Sequence, residues 1–209
     1  MASQTDVTTA KSGQSTEDKR WSLPTRLLHL GLVTTVTAQL GLSLVMAPPD
    51  EENISALASA TFEAHEVVGM AAVVVVLAHW LWTLSSQVDG GLKHLFPWRG
   101  DARGEVVAET KALFNGQLPE GGARGGLPGF IHGLGFLAVT GMAITGGILF
   151  FILPESGAFP PVVDLFAESH EMIASLVWLY WGGHGAVALM HHLQGHSVLK
   201  DMFRLTNKK

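Results

Sequence analysis

Long apolar runs, separated by segments rich in proline, glycine or charge, dominate the chain after residue 20. A helix needs about 20 mostly apolar residues to cross a hydrocarbon core about 30 Å thick. Four runs are long enough: Leu23–Ala47, Ala64–Leu84, Leu127–Leu153 and Leu165–Leu193. Pro24 opens the first run, and Pro48 and Pro154 follow the first and third, positions at which helix ends tolerate proline. The pattern therefore predicts four membrane-spanning helices.

The two ends of the chain differ from this pattern. Residues 1–20 are polar, rich in Ser and Thr, and contain no apolar run of the kind a cleaved signal peptide needs, so they are expected to form a flexible tail. Residues 206–209 form a short basic tail. The predicted fold is all-α, an integral membrane four-helix bundle over residues 21–205.

The basic residues predict the orientation of these helices, because lysine and arginine collect in cytoplasmic loops. All thirteen lie before or at the start of the first run, between the second and third, or after the fourth: Lys11, Lys19, Arg20, Arg26, Lys93, Arg99, Arg103, Lys111, Arg124, Lys200, Arg204, Lys208 and Lys209. The two other loops, PPDEENISALASATFE and PESGAFPPVVD, carry acidic residues and no basic ones. Both termini are therefore predicted to be cytoplasmic.

Composition narrows the chemistry. Only 15% of the residues are charged, against about a quarter in soluble domains. The chain has ten histidines and no cysteine, which excludes disulfides, thiolate-held iron–sulfur clusters and covalent c-type haem attachment. Any metal must therefore bind through nitrogen or oxygen. The basic residues form no patch interleaved with aromatic residues, so nucleic acid is not an expected partner.

The histidines fall at two predicted depths. His65 and His170 open the second and fourth helices at the outer side, and each is followed by Glu. Toward the inner side lie His29, His79, His132, His184, His191 and His192. His65 and His79 are fourteen residues apart, as are His170 and His184, a spacing that advances a helix by about 21 Å and falls about 40° short of four turns. The two histidines on each helix therefore point in nearly the same direction at two different depths.

Two antiparallel helices with such pairs could hold two stacked metalloporphyrins, with imidazole on both faces of each iron. Interhelical hydrogen bonding is the alternative for a single intramembrane histidine, but four histidines at matched depths favour cofactor binding. A local metal clip of His191, His192 and His196 is a lesser alternative. Glycines close to the spanning histidines would allow close approach of a flat macrocycle or of another helix; among them, within four residues of such a histidine, are Gly31, Gly69, Gly133, Gly135, Gly182, Gly183 and Gly185.

Four segments together resemble the prokaryotic cytochrome b561 family, which includes b-type subunits of nickel-iron hydrogenases. They are RWSLPTRLLHLGL, FEAHEVVGM, LPGFIHGLGFL and SHEMIASLVWLYWGGHGAVALMHH, one in each predicted helix. The resemblance covers roughly residues 21 to 205. It implies a four-helix protein of the bacterial inner membrane that carries two haem b groups and passes electrons between a periplasmic redox partner and membrane quinone.

The resemblance also implies the axial ligands of both haems. His29 and His184 would hold the inner haem iron, and His65 and His170 the outer one. His79 is a departure, because relatives often carry arginine near this position. It is either an alternative inner ligand or a contact of a haem propionate, and the motif around His29 favours the second reading.

Three functions are consistent with these residues. The first is a transmembrane electron carrier between a periplasmic protein, such as a cytochrome c, and ubiquinone or menaquinone. The second is a superoxide:ubiquinone oxidoreductase, which the absence of basic residues from the outer loops disfavours. The third is a haem-bearing anchor subunit of a larger dehydrogenase or hydrogenase complex. For the oligomeric state, the sequence is consistent both with a homo-oligomer and with a subunit of a membrane redox complex.

A quinone site is predicted at the inner side. A quinone head group needs hydrogen-bonding partners and a proton route near the membrane surface, and histidine provides both because it titrates near neutral pH. His132, His191 and His192 are the candidates, beside the basic loop. The alternative is that His191 and His192 mark the interface and that His132 packs beside the inner haem.

Overall fold

The computed structural model describes residues 21–49, 53–85, 89, 91–98, 100–117, 125–155 and 157–204. The predicted tails over residues 1–20 and 206–209 lie outside these ranges. Within them the chain is helical, with no strand, which confirms the all-α class. The helices are α1 Leu23–Leu42, α2 Ala56–Ser85, α3 Gly91–Leu95, α4 Gly100–Phe114, α5 Gly126–Ile152, α6 Pro161–Leu193 and α7 Val198–Phe203.

Three helices in the described part of the chain, α2, α5 and α6, are long and apolar enough to cross a membrane. The first predicted span corresponds to α1, a continuous but shorter helix whose apolar sequence contains the polar residues Arg26, His29 and Gln39. Much of the apolar side-chain area of the long helices faces outward, as at Val67, Leu81 and Leu179. Such a surface suits lipid, because soluble monomers rarely expose large apolar patches.

The long helices differ from their predicted bounds at three ends. α1 ends at Leu42, before Ala47, because the backbone N–H groups of Leu44 and Val45 donate to the carbonyls three residues earlier, those of Gly41 and Leu42, and tighten the chain into a turn. α2 begins eight residues earlier than Ala64, where the Ser55 hydroxyl accepts a hydrogen bond from the Ala58 N–H at 3.1 Å. α6 begins at Pro161, a favoured residue in a first helical turn. Apolarity alone does not reveal these polar turns.

The helices pack in sequence, α1 along α2, α2 along α5 and α5 along α6. Among the described residues, α6 makes no comparably extended backbone contact with α1 or α2. Buried side chains from four helices form the core: Leu40, Val76, Phe136, Val139 and Val177. The bundle is therefore closed mainly by side chains on the α6 face toward α1 and α2.

Three indole N–H groups donate across helix pairs to threonine hydroxyls, each at 3.0 Å. Trp82 donates to Thr25, which links α2 to α1, and Trp80 donates to Thr140, which links α2 to α5. Trp181 donates to Thr37 and links α6 to α1. Interhelical hydrogen bonds of this kind help membrane helices to associate, because lipid provides no other polar partner.

The short helices α3, α4 and α7 lie at one end of the bundle, called the inner end here. Acidic side chains from the segment between α2 and α5 cap two long helices there. The Asp89 carboxylate accepts hydrogen bonds from the Ser22 N–H and from the Ser22 and Thr25 hydroxyls at 2.6–3.2 Å. The Glu109 carboxylate accepts one from the Leu127 N–H at 2.7 Å. Negative charge at a helix N-terminus is stabilising, so these contacts fix the starts of α1 and α5.

Candidate functional site

Two histidines face each other at the outer end of the bundle, opposite to α3, α4 and α7. His65 lies on α2 and His170 on α6, and their ring centroids are 6.3 Å apart with an angle of 80° between the ring planes. The structure thus brings together the two residues expected to bind the outer haem.

A second pair lies toward the inner end. His29 of α1 and His184 of α6 have ring centroids 6.3 Å apart, with 61° between their planes. Since α6 rises by about 1.5 Å per residue, His170 and His184 are separated by about 21 Å along its axis. The two pairs therefore occupy two depths of the same bundle, each with one member on α6.

The spacing of both pairs fits an iron between the rings. An imidazole nitrogen binds a metal at about 2 Å and lies about 1.1 Å from its ring centre, so two axial rings have centroids about 6 Å apart. The distance of 6.3 Å matches this requirement in both pairs. The donor set of neutral imidazoles also suits b-type haem.

A cavity of about 370 Å³ surrounds the outer pair. Its wall is mostly apolar, with Val73, Val76, Val139 and Phe150 among the side chains that line it. Among the described residues, four carboxylates line it too, and no lysine or arginine does: Glu66, Asp164, Glu168 and Glu171. The volume falls within the range of about 300–1,000 Å³ usual for cofactor and ligand pockets.

Two residues of α5 hold the His170 ring from behind. The Thr145 hydroxyl lies 2.8 Å from His170 Nδ1 and donates to the Gly141 carbonyl at 2.9 Å. The neighbouring Gly146 is in close contact with the ring, because a Cβ at this position would lie 2.9 Å from His170 Cε1. A larger residue would push the ring away from its present position.

A cluster of rings surrounds His184 at the inner end. The Tyr180 ring stacks on His184 with centroids 5.3 Å apart and 12° between the planes, and His132 meets His184 edge-on at 5.1 Å. Gly135 makes room for the Tyr180 ring, since a Cβ there would overlap it. Phe203 of α7 packs against His29 at 5.9 Å. The inner pair is therefore enclosed by aromatic side chains from three further positions.

The cluster continues from His132 to the end of the bundle. The Trp21 ring lies 6.4 Å from His132 and 4.9 Å from His94, a residue of α3. His94 is only 7% exposed, and its Nε2 has no hydrogen-bond partner among the described residues. Burial lowers the pKa of His94, and the nearby Asp89 carboxylate opposes this shift. His94 is therefore neutral at neutral pH.

His79 occupies a different place from the inner pair. Its ring packs against Phe136 with centroids 4.5 Å apart, and its Nδ1 lies 3.2 Å from the Thr83 hydroxyl. No ring contact joins His79 to His184 among the described residues, whereas His29 and His132 both meet His184.

The three candidate quinone residues do not form one group. His132 lies inside the ring cluster beside His184, while His191 closes the last turn of α6 against His196, whose ring is 5.4 Å away. The His196 N–H donates to the His191 carbonyl at 3.0 Å, so this contact serves as a helix cap. His192 is partly buried, with no partner for Nδ1 in the described part of the chain. No group of three or more potential metal ligands was found among the described residues, so the metal clip gains no support.

The glycines near the histidines fall into two groups. A Cβ at Gly133 would overlap the Leu95 carbonyl oxygen, and one at Gly69 or Gly31 would crowd Gln39 or Val75. These glycines allow close packing of helices and of α3. In the described part of the chain, no atom outside the glycine's own helix backbone lies within 4 Å of a Cβ built at Gly182, Gly183 or Gly185. Close helix packing therefore accounts for the first group of glycines but not for the second.

The sequence pattern did not reveal four residues of these sites: Trp21, His94, Thr145 and Gly146. Their roles depend on contacts between residues distant along the chain, for which a single sequence gives no spacing rule. His94 carried one available signal, as a histidine in the short segment between two apolar runs.

The comparisons identify the family to which this bundle belongs. Residues 20–205 match the family described as prokaryotic cytochrome b561, which confirms the resemblance of the four histidine-bearing segments. No curated protein and no solved structure shows a significant match to the chain. The match covers all four long helices with both histidine pairs. The chain therefore belongs to the prokaryotic cytochrome b561 family, whose members are membrane-bound b-type cytochromes that transfer electrons.

Proposed function

We propose that this protein is a di-haem cytochrome of the bacterial inner membrane that carries electrons between a periplasmic redox protein and membrane quinone. The observation that carries the proposal is the pair of equal 6.3 Å separations, His65–His170 and His29–His184, at two depths of one bundle. A single histidine pair would fit a one-haem protein, and unrelated packing would give no reason for two matching distances. The proposed bundle has four spanning helices, α1 among them, with both termini in the cytoplasm.

In this proposal, His65 and His170 hold the outer haem and His29 and His184 the inner one. Bound haem supplies one-electron chemistry at each iron. Because α6 carries one ligand of each pair, it links both sites through a single rigid element. The buried side chains of Val76, Val139 and Val177 lie in the core shared by the helices and exclude water from it.

The lining of the outer cavity favours one kind of electron donor. Its four carboxylates attract a basic protein surface and repel a small anion, since no lysine or arginine lines the described part of the wall. A basic electron-transfer protein, such as a cytochrome c, is the partner we infer. The same charges disfavour the superoxide alternative.

The quinone site is proposed beside the inner pair. His132 is the strongest of the three candidates, because its ring contacts His184 on one side and Trp21 on the other. The Trp21 ring in turn contacts His94 at the inner end. The ring nitrogens of His132 and His94 provide hydrogen-bond partners for a quinone carbonyl close to the inner site. His191 and His192 remain as a second location, at the end of α6.

Replacing His132 with glutamine is expected to slow electron exchange between the inner haem and quinone by about tenfold to a hundredfold, because the glutamine amide can hydrogen-bond the head group but cannot deliver the proton that accompanies reduction. Stopped-flow reoxidation of the dithionite-reduced protein by a soluble quinone measures this rate. His196→Gln is the matched control, because His196 is an exposed histidine outside the three candidates, and it should exchange at the wild-type rate with both haems bound. Wild-type rates for His132→Gln and slow rates for His191→Gln or His192→Gln would move the site to the end of α6. Wild-type rates for all three would place it elsewhere.

A further inference from the structure

The outer and inner histidine pairs differ in what surrounds them, and the difference bears on the direction of electron flow. Nδ1 of His170 has a hydrogen-bond partner, the Thr145 hydroxyl at 2.8 Å. Nδ1 of His29 in the inner pair and Nδ1 of His65 in the outer pair have none among the described residues, so the contact with Thr145 distinguishes His170 from both. Thr145 is buried, with 8% of its surface exposed, so water does not compete for this contact.

A His170 ring that binds iron through Nε2 carries its hydrogen on Nδ1, so the Thr145 hydroxyl accepts from it. Two backbone carbonyls of the same helix, Gly141 at 2.9 Å and Met142 at 3.3 Å, lie close enough to accept the hydroxyl hydrogen. The oxygen lone pairs are therefore available to the His170 Nδ1–H. A neutral imidazole that donates through Nδ1 carries its lone pair on Nε2, which is the nitrogen needed by an iron in the cavity.

An acceptor at Nδ1 also changes the strength of the ligand. It draws the Nδ1 proton away from the ring and makes Nε2 a stronger electron donor, which raises ligand basicity. A stronger donor stabilises ferric iron over ferrous iron. Thr145 therefore lowers the reduction potential of the outer site.

Charge acts in the same direction. Ferric haem carries one more positive charge than ferrous haem, so nearby carboxylates favour the oxidised form and nearby cations favour the reduced form. Glu66, Asp164, Glu168 and Glu171 line the outer cavity. At the inner end, Arg26 is 4% exposed and lies three residues before His29 on α1, where its guanidinium donates to the Arg204 carbonyl.

We propose that Thr145 positions His170 and, with the carboxylates of the outer cavity, makes the outer haem the lower-potential one, so that electrons run from the outer site to the inner site. In each transfer the outer iron is oxidised from ferrous to ferric and the inner iron is reduced from ferric to ferrous. This inference rests on the proposed di-haem function and adds a direction to it.

The test is a potentiometric titration of the purified, haem-loaded protein followed by its optical spectrum. Two reduction steps are expected. Thr145→Val should raise only the lower step, with about a fivefold higher reduced-to-oxidised ratio at a fixed potential, the effect of one ordinary hydrogen bond. Thr145→Ser, which keeps the hydroxyl, should restore the wild-type value. The electron paramagnetic resonance signal of the ferric outer haem should shift in Thr145→Val and return in Thr145→Ser.

Thr140→Val is the matched control, because Thr140 also donates to the carbonyl four residues earlier on α5 but accepts from Trp80 in place of a histidine. It should leave both potentials unchanged. Glu168→Gln provides a second variant on the exposed edge of the cavity and should raise the same lower step. His29→Ala should leave that lower step as the one that persists.

The outcomes separate this inference from the proposed function. Two haems with a shift of the higher step in Thr145→Val or Glu168→Gln, or with no shift in either variant, would overturn the inference and leave the di-haem assignment in place. The inference would also be overturned if His29→Ala retained the reduction step at the higher potential and lost the one at the lower potential. One haem per wild-type chain would contradict the proposed function itself.

Discussion

His170→Ala is expected to remove the outer low-spin haem and leave the inner one in place, so that haem content falls from two groups per chain to one. The reason is that the outer pair offers one imidazole on each side, His65 from α2 and His170 from α6, with centroids 6.3 Å apart. Without His170 a haem held here would lose one of its two imidazole ligands, and the neighbouring Gly146 and Thr145 offer no imidazole in its place. A pyridine haemochrome assay together with the optical spectrum of the purified variant measures the change.

His65→Ala should give the same result as His170→Ala, because each removes one side of the same site. His196→Ala is the control, since His196 is an exposed histidine outside both pairs, and it should retain the full haem content. Retention of both low-spin haems in His65→Ala and His170→Ala would contradict the outer pairing.

His29→Ala is expected to abolish the inner low-spin signal, while His79→Ala should only shift the potential of the inner haem. His29 faces His184 across 6.3 Å, the separation that an iron between two imidazoles requires. His79 packs on Phe136 and lies beside Thr83, so we expect it to tune a bound haem without serving as an axial ligand. A redox titration with parallel spectra separates the two effects.

The comparison of these two variants decides between two arrangements of the bundle. If His79→Ala lost the inner haem and His29→Ala kept it, α2 and α6 would supply all four ligands, and α1 would have no part in haem binding. Loss of the haem in both variants would indicate that the inner site depends on the fold around Phe136 as much as on its ligands. Thermal denaturation of the apoprotein would detect such a defect.

Helix periodicity explains why the pairs could be anticipated from the sequence. Fourteen residues nearly complete four turns, so the facing of His170 and His184 follows from geometry alone. The depth of His65 followed from its place at the start of an apolar run. The choice of His29 over His79 did not follow from spacing, because both lie on helices of the right length and only packing between helices separates them.

Other features depended on contacts that no local pattern encodes. Asp89 caps α1 from a position more than sixty residues away in sequence, and its backbone adopts φ 62°, which Asp tolerates better than most residues. His132 and His191 lie in different places because the His132 side chain faces α6 beside His184, whereas His191 lies in the last turn of α6. Thr145 is an ordinary threonine in an apolar run, and only its distance to His170 reveals its part in the site.

The haem content of the purified wild-type chain tests the central claim most directly. A pyridine haemochrome assay, normalised to protein by quantitative amino-acid analysis, should give two non-covalent b haems per chain, and acidified acetone should extract both because the chain has no cysteine for covalent attachment. A clear value of one haem per chain, or none, would contradict the account.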